Sequence, residues 1–189
     1  MKKIIWSLLI LLGIAVAVSG CARWPDGPGP GPGKPAYQLK ITVEVKGEIN
    51  TDDGIYYIAL DTDENSADGP DYNVEDWEND FYYVKFDSTG VYFSRVEEGS
   101  ASISLTDSSS SEKTLQVTIA VSDLGSPSSI DINVLTTDPG NNTYDYLEPY
   151  FTIYTDLGSS MNKPDSRSDS GEGGADFDIV KVTALITTQ

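Results

Sequence analysis

Carboxylates crowd the loop that follows an apolar run at residues 55–60. Asp61, Asp63 and Asp68 stand there with other acidic residues, among Gly, Pro, Asn and Ser. Like charges at this density repel one another unless water or a cation neutralises them, and Ca²⁺ is the cation best suited to clustered oxygen ligands. The loop therefore predicts a Ca²⁺ site with Asp61, Asp63 and Asp68 as candidate ligands. A solvated acidic loop is the alternative, since the spacing does not match an EF-hand.

Histidine is missing from the sequence, and cysteine occurs once, as Cys21. Histidine is the commonest general base, the commonest metal ligand and the usual haem ligand. A Ser-His, Cys-His or zinc constellation therefore cannot be assembled, and we expect neither haem nor zinc. Two carboxylates could hydrolyse a glycosidic bond, but no carboxylate stands in an apolar sequence context that would raise its pKa. We expect a non-enzymatic protein, with a carboxylate-dependent glycoside hydrolase as a remote alternative.

The charge balance is strongly acidic, with 30 Asp and Glu against 12 Lys and Arg and a formal net charge of −18. Loss of Lys2 and Lys3 with a signal peptide brings the side-chain charge to about −20. A field of this sign repels nucleic acid and anionic lipid surfaces. We therefore exclude a nucleic-acid partner and expect the surface to attract cations.

The first residues have the pattern of a secretory signal. Lys2 and Lys3 precede an apolar run over residues 4–18, which is at or below the length of about 20 residues that spans a bilayer. The sequence VSGC at residues 18–21 resembles the lipobox of bacterial lipoproteins. The resemblance implies cleavage after residue 20, acylation of Cys21 and anchoring in the cell membrane or outer membrane, with the protein facing the periplasm or the cell exterior. An uncleaved anchor helix with an incidental cysteine is the alternative.

A Pro- and Gly-rich segment separates Cys21 from the rest of the chain. Alternating Pro and Gly neither pair into a sheet nor continue a helix, so we expect a spacer. The residues beyond it are enough for one domain with a sizeable core. We therefore divide the chain into a signal peptide at 1–20, a lipid-anchored linker at 21–35 and a domain at 36–189.

The domain shows the two-residue alternation of β-strands and no sustained helical period. Residues 37–46 alternate cleanly, and the almost continuous apolar run at 55–60 suits a strand that is covered on both faces. Many short strands joined by Gly, Pro and Asp turns predict an all-β protein, an antiparallel β-sandwich. The serine-rich segment 107–113 is expected to be a loop, and the polar segment 158–175 a mobile loop. Strands are predicted at 37–46, 54–61, 81–86, 91–95, 102–106, 115–121, 130–134, 150–154 and 178–187.

Two stretches on either side of the acidic loop resemble a known group of domains. YYIALDTD at 56–63 and WENDFYYVKFD at 77–87 are similar to family-nine carbohydrate-binding modules, the glucodextranase C-terminal domain and DOMON domains. The resemblance implies a β-sandwich, a structural Ca²⁺ held by the Asp-x-Asp loop through Asp61 and Asp63, and sugar binding. DOMON relatives that hold haem need an axial His or Met, and the domain offers only Met161.

The aromatic residues depart from the pattern of that family. Family-nine modules clamp a sugar between two tryptophans, and the domain contains only Trp77. Tyrosine can also stack on the apolar face of a sugar ring, so Trp77 and Tyr82 are candidate ligand-binding residues. Trp77 could instead pack beside the acidic loop, since large aromatic residues are mostly buried. The other tyrosines considered are Tyr72, Tyr92, Tyr144 and Tyr146.

Two functions follow from these features. The protein is either a binding lipoprotein that captures carbohydrate at the cell envelope, or a structural lipoprotein that contacts another envelope protein through a sheet edge or a loop. The family resemblance favours the first function, and the missing second tryptophan favours the second.

Overall fold

The computed structural model describes residues 36–77, 81–97, 101–167 and 172–188. These residues form two antiparallel sheets packed as a β-sandwich, which confirms the fold class predicted from the sequence. The predicted signal peptide, Cys21 and the linker lie outside the described residues. Within the described part of the chain, no helix could cross a lipid bilayer.

Twelve strands in the described residues divide into two sheets. The strands are β1 (Tyr37–Val45), β2 (Ile55–Asp61), β3 (Phe81–Asp87), β4 (Gly90–Arg95), β5 (Ile103–Ser104), β6 (Ser108–Ser110), β7 (Thr114–Ala120), β8 (Ser129–Thr137), β9 (Thr143–Tyr146), β10 (Phe151–Tyr154), β11 (Ser160–Pro164) and β12 (Ile179–Thr188). The five-stranded sheet has the order β11-β12-β1-β7-β6. The seven-stranded sheet has the order β10-β8-β2-β3-β4-β5, with β9 paired to β8. Two short 3₁₀ helices lie at Val74–Asp76 and Val121–Leu124.

Strand β1 shows how the alternating sequence becomes a half-buried strand. Leu39, Ile41 and Val43 are fully buried, while the residues between them are partly exposed. β1 pairs with β12 on one side and with β7 on the other, so that Ile41 lies opposite Ala184 and Val117. Each fully buried aliphatic side chain contributes about 1.5–3 kcal/mol, and these residues therefore hold the five-stranded sheet against the core.

Strand β2 is covered on both faces, as its continuous apolar run predicts. It lies in the seven-stranded sheet between β8 and β3. Tyr56, Ile58 and Leu60 belong to the core between the two sheets. Tyr57 and Ala59 alternate with them and belong to a second apolar cluster on the outer face of this sheet.

Residues 62–77, here called the covering loop, lie over the outer face of the seven-stranded sheet. Trp77 packs there against Tyr57 in the second apolar cluster. Asn133 of β8 donates a hydrogen bond from Nδ2 to the carbonyl oxygen of Pro70 at 2.8 Å. The covering loop therefore shields part of a sheet face that would otherwise meet water.

Three short strands lie where the sequence predicts no strand. β6 falls in the serine-rich segment 107–113 and β11 falls in 158–175, so the expectation of loops is wrong at these strands. β9 has no predicted counterpart. β6 and β11 are edge strands with mostly exposed side chains, so their pairing depends on main-chain hydrogen bonds and leaves no apolar alternation in the sequence.

Candidate functional site

The carboxylates predicted to bind Ca²⁺ meet at one end of the outer face. Asp61 is the last residue of β2, whereas Asp63 and Asp68 come from the covering loop. Carboxylate oxygens of these three residues all lie within 4.8 Å of one another. Asp131 of β8 is the register partner of Asp61, so its side chain lies on the same face of the sheet. The structure thus brings the three predicted ligands together and adds a fourth carboxylate that the sequence analysis missed.

Burial divides these carboxylates into two pairs. Asp61 and Asp131 are 1% and 2% exposed, whereas Asp63 and Asp68 are exposed. Asp61 Oδ1 accepts a hydrogen bond from the Asp63 N–H at 3.0 Å, and Asp131 Oδ1 accepts one from the Thr152 hydroxyl. Asp61 Oδ2 has no hydrogen-bond partner among the described residues. A buried carboxylate oxygen in this state is costly, and a bound cation would satisfy it.

Burial and neighbouring charges both disfavour the ionised form of Asp61. Burial raises the pKa of Asp61 to about 6, and the charges of Asp63, Asp131 and Asp68 act in the same direction. Burial also raises the pKa of Asp131. Burial likewise raises the pKa of Asp145 in β9 to about 6. The expectation that no carboxylate has surroundings that raise its pKa is therefore wrong for Asp61, Asp131 and Asp145. Asp61 and Asp131 are almost fully buried, at 1% and 2% exposed.

The donor set of this cluster fits Ca²⁺. Ca²⁺ takes oxygen ligands at about 2.3–2.6 Å, so two oxygens bound to one ion lie at most about 5 Å apart. The 4.8 Å spread of the oxygens from Asp61, Asp63 and Asp68 meets this limit. Backbone carbonyls and water would complete the six to eight ligands that Ca²⁺ prefers. Asp131 would add negative charge beside the ion.

The free energy of unfolding of the metal-free protein is expected to rise as the pH falls from about 7.5 to 5. The pKa of Asp61 is about 6 in the folded state and about 3.9 in an unfolded chain, so the folded state binds the proton more tightly. The stabilisation is fully present below a pH of about 4 and is lost as the pH rises through about 6. At pH 5 about half of this contribution of Asp61 to the free energy of unfolding is present. After screening by solvent, that half amounts to roughly 1 kcal/mol.

Urea unfolding in the presence of EGTA, at several pH values, measures this contribution. Asp61→Asn is the matched control, because it keeps the shape of the side chain but does not titrate. As the pH rises from about 5 to about 7.5, the free energy of unfolding of the wild type should fall by roughly 1 kcal/mol more than that of the variant. Identical pH profiles for the two proteins would contradict the burial of an ionisable Asp61.

The two candidate ligand-binding aromatics, Trp77 and Tyr82, lie on opposite faces of the seven-stranded sheet. Trp77 is 8% exposed and packs on the outer face, with ring centroids 5.5 Å from Tyr57 and 5.7 Å from Tyr83. Tyr82 packs against the core between the sheets and stacks on Phe93 with centroids 5.7 Å apart. Trp77 and Tyr82 are therefore not brought together and form no clamp.

A cavity of about 420 Å³ opens on the outer face beside Trp77. It is lined by Tyr57, Trp77 and Tyr83 and by polar residues that include Lys85 and Asn141. Small-molecule sites typically have volumes of about 300–1,000 Å³, with aromatic walls and a few polar groups. Sequence reasoning selected Trp77 but missed Tyr57 and Tyr83, because their place beside it depends on the register of β2 and β3.

Of the other tyrosines considered, Tyr72 and Tyr146 are stacked on each other. Their ring centroids are 4.7 Å apart, with 21° between the ring planes. Tyr146 belongs to β9, so this pairing depends on a strand that the sequence does not predict. Tyr144 packs instead against Phe177, with centroids 5.0 Å apart, and the Lys85 Nζ lies 5.6 Å from the ring centroid of Tyr92.

Comparison of the chain with protein-family models, curated proteins and solved structures finds no match. The class that the fold defines is an all-β protein built as an antiparallel sandwich. Because one fold can carry many functions, the function has to follow from the chemistry of the sites on the outer face.

Proposed function

We propose that this protein is a non-catalytic lipoprotein that binds carbohydrate outside the cytoplasm, with a Ca²⁺ ion that fixes the covering loop. Acylated Cys21 would anchor it in the cell membrane or outer membrane, and the linker at 21–35 would space the sandwich from the bilayer. The VSGC sequence at 18–21 supports the anchor. The shared carboxylate cluster, with its unpartnered oxygen, supports the ion.

The position of the covering loop is the observation that carries this proposal. At its start the loop joins the carboxylate cluster, and further along it carries Tyr72 and Trp77 to the rims of two cavities. A loop that is fixed by an ion would present its aromatic rings in one orientation, which lowers the entropy lost on binding. Aromatic rings stack on the apolar face of sugars, and carboxylates and amides form hydrogen bonds with sugar hydroxyls.

Native gels that contain a polysaccharide should retard the protein. Full-length protein in a mild non-ionic detergent would be run with a broad panel of neutral and acidic polysaccharides, once with Ca²⁺ and once with EGTA. We expect retardation by at least one polysaccharide, and weaker retardation in EGTA because the covering loop loses its ion. The control is the same gel without polysaccharide. Unchanged migration across the whole panel, under both conditions, would count against carbohydrate binding.

A structural lipoprotein is the second candidate, and exposed apolar side chains on the sheet edges favour it. Ile103 of β5, Tyr154 of β10 and Met161 of β11 are 62%, 65% and 37% exposed, and each belongs to an outermost strand. Unpaired strand edges can pair with a strand of another protein. Reproducible crosslinking to one envelope protein in native membranes, together with no retardation by polysaccharide, would favour this candidate.

A further inference from the structure

We propose that a neutral sugar ring binds in the groove beside Tyr72, with Tyr72 as the platform on which it stacks. The inference rests on the proposed carbohydrate binding and names the site and the class of sugar within it. The groove lies between the covering loop and the turn at residues 140–143, and its volume is about 370 Å³. This volume is within the range of about 300–1,000 Å³ found for small-molecule sites.

The Tyr72 ring is exposed and yet held in place. Tyr72 is 52% exposed, although its ring stacks on Tyr146 at a centroid distance of 4.7 Å. The Tyr146 ring is held in turn by the Arg167 guanidinium, whose carbon lies 4.0 Å from the ring centroid. Packing on Tyr146 therefore sets the plane of the Tyr72 ring while leaving much of its surface open. A flat aromatic ring with a fixed plane and an open surface can stack on the apolar face of a sugar.

Side chains from the sheet and from Trp77 fix the backbone at Tyr72. The three consecutive carbonyl oxygens of residues 70–72 accept hydrogen bonds from Asn133 Nδ2 at 2.8 Å, Trp77 Nε1 at 2.9 Å and Thr143 Oγ1 at 2.9 Å, in that order. Asn133 and Thr143 belong to β8 and β9, so the loop is tied directly to the sheet. These three hydrogen bonds restrict residues 70–72 before any ligand binds, which lowers the entropy lost on binding.

The polar groups around Tyr72 favour a neutral sugar over an anionic one. Asp71, Glu75 and Asp76 of the covering loop line the groove together with Asn141 and Asn142. Carboxylates accept hydrogen bonds from sugar hydroxyls, while side-chain amides can both donate and accept. Within the described part of the chain, the residues that line the groove include no Lys or Arg. The carboxylates would therefore repel an anionic sugar, and no cationic side chain among these lining residues would offset that repulsion.

The cavity beside Trp77 is less suited to stack a sugar ring. Trp77 is only 8% exposed, because its ring packs against Tyr57 and Tyr83. A ring that is already covered by neighbouring aromatic side chains offers little area to a ligand, whereas Tyr72 is more than half exposed. The geometry therefore favours the groove beside Tyr72.

Affinity electrophoresis of full-length Tyr72→Ala and Tyr72→Phe tests the platform. The probes are a soluble neutral glucan, a neutral mannan and anionic polygalacturonate, followed by the rest of the polysaccharide panel. Tyr72→Ala should weaken binding of the retained neutral polysaccharide about tenfold, whereas Tyr72→Phe, which keeps the ring, should bind within about twofold of the wild type. Tyr154→Ala is the matched control, since Tyr154 is a 65% exposed tyrosine on β10, and it should bind as the wild type does.

Four results would contradict the Tyr72 platform, its location, the neutral sugar or carbohydrate binding itself. Binding by Tyr72→Ala that equals the wild type, at an equal melting temperature, would overturn the platform and leave carbohydrate binding standing. Loss of affinity in Tyr83→Ala but not in Tyr72→Ala would place the sugar in the cavity beside Trp77. A preference for polygalacturonate would overturn the selection of a neutral sugar. If no polysaccharide of the panel retards the wild type, both the platform and the proposed function fall.

Discussion

Removal of Ca²⁺ with EGTA is expected to lower the melting temperature of the protein by about 5–10 °C. An ion that binds only the folded state stabilises it by about 2.7 kcal/mol when its concentration is about a hundred times the dissociation constant. The melting temperature of a domain of this size falls by about 2–4 °C for each kcal/mol of unfolding free energy that is lost. Here the ion would also neutralise the buried Asp61 and join β2 to the covering loop. Circular dichroism during heating, with Ca²⁺ added back, measures the effect.

Variants separate loss of the ion from loss of the fold. Asp61→Asn and Asp63→Ala should both remove the response to EGTA, because each takes away a carboxylate ligand. Asp123→Ala, which changes an exposed carboxylate on the 3₁₀ helix Val121–Leu124, should keep the response. In EGTA, Asp61→Asn should be at least as stable as the wild type, since it removes a buried charge. A wild-type melting temperature that ignores EGTA would rule out the Ca²⁺ site.

Asp145→Ala is expected to destabilise the sandwich by about 3–5 kcal/mol, and so to lower its melting temperature by roughly 10 °C. Asp145 of β9 is 1% exposed and accepts hydrogen bonds from the Arg167 guanidinium and, at 2.7 Å, from the Ile179 N–H at the start of β12. Removal of the Asp145 carboxylate would place the Arg167 guanidinium beside an apolar methyl group, and the Arg167 side chain is only 15% exposed. Urea unfolding followed by circular dichroism measures the loss.

An exposed ion pair provides the comparison for Asp145. Lys181 Nζ lies 2.6 Å from Glu44 Oε2 between β12 and β1, and the two side chains are 39% and 38% exposed. Because solvent screens such a pair, Glu44→Ala should cost less than about 1 kcal/mol. Equal costs for Glu44→Ala and Asp145→Ala would show that the buried carboxylate does not join β9 to β12 as the contacts indicate.

The sequence predicts those strands that bury apolar side chains. Alternation at residues 37–46 indicates β1, and the continuous run at 55–60 indicates a strand covered on both faces, which is β2. These patterns can be recognised locally, because a side chain that faces the core is apolar whatever strand lies beside it. The same reasoning fails at β6 and β11, whose exposed side chains carry no such pattern.

The local sequence pattern also cannot show which side chains meet through the register of paired strands. Asp131 and Asn133 alternate with apolar residues in β8, which is the pattern of a strand with one wet face, yet they are 2% and 4% exposed. The covering loop closes over that face, and only the pairing of β8 with β2 shows that Asp131 lies opposite Asp61. The sequence therefore identifies Asp61 and its neighbours in the loop but not the carboxylate beside them.

The stacking of Tyr72 on Tyr146 could not be predicted from the sequence either. Tyr72 and Tyr146 lie far apart in the sequence, and nothing in the local pattern of either residue indicates the other. Their stacking follows from two long-range features, the position of the covering loop and the pairing of β9 with β8. Tyrosines could thus be named as candidates from composition, while the pair that meets could be found only from the fold.

The central position of β1 determines how the sandwich bears mechanical load. From Tyr37 to Val45 this strand is paired with β12, and from Gln38 to Glu44 it is also paired with β7. A pull on residue 37 along the strand would act on both ladders in shear, so many hydrogen bonds would have to break together. The sandwich should therefore withstand a pull on residue 37 far better than a pull that entered through an edge strand.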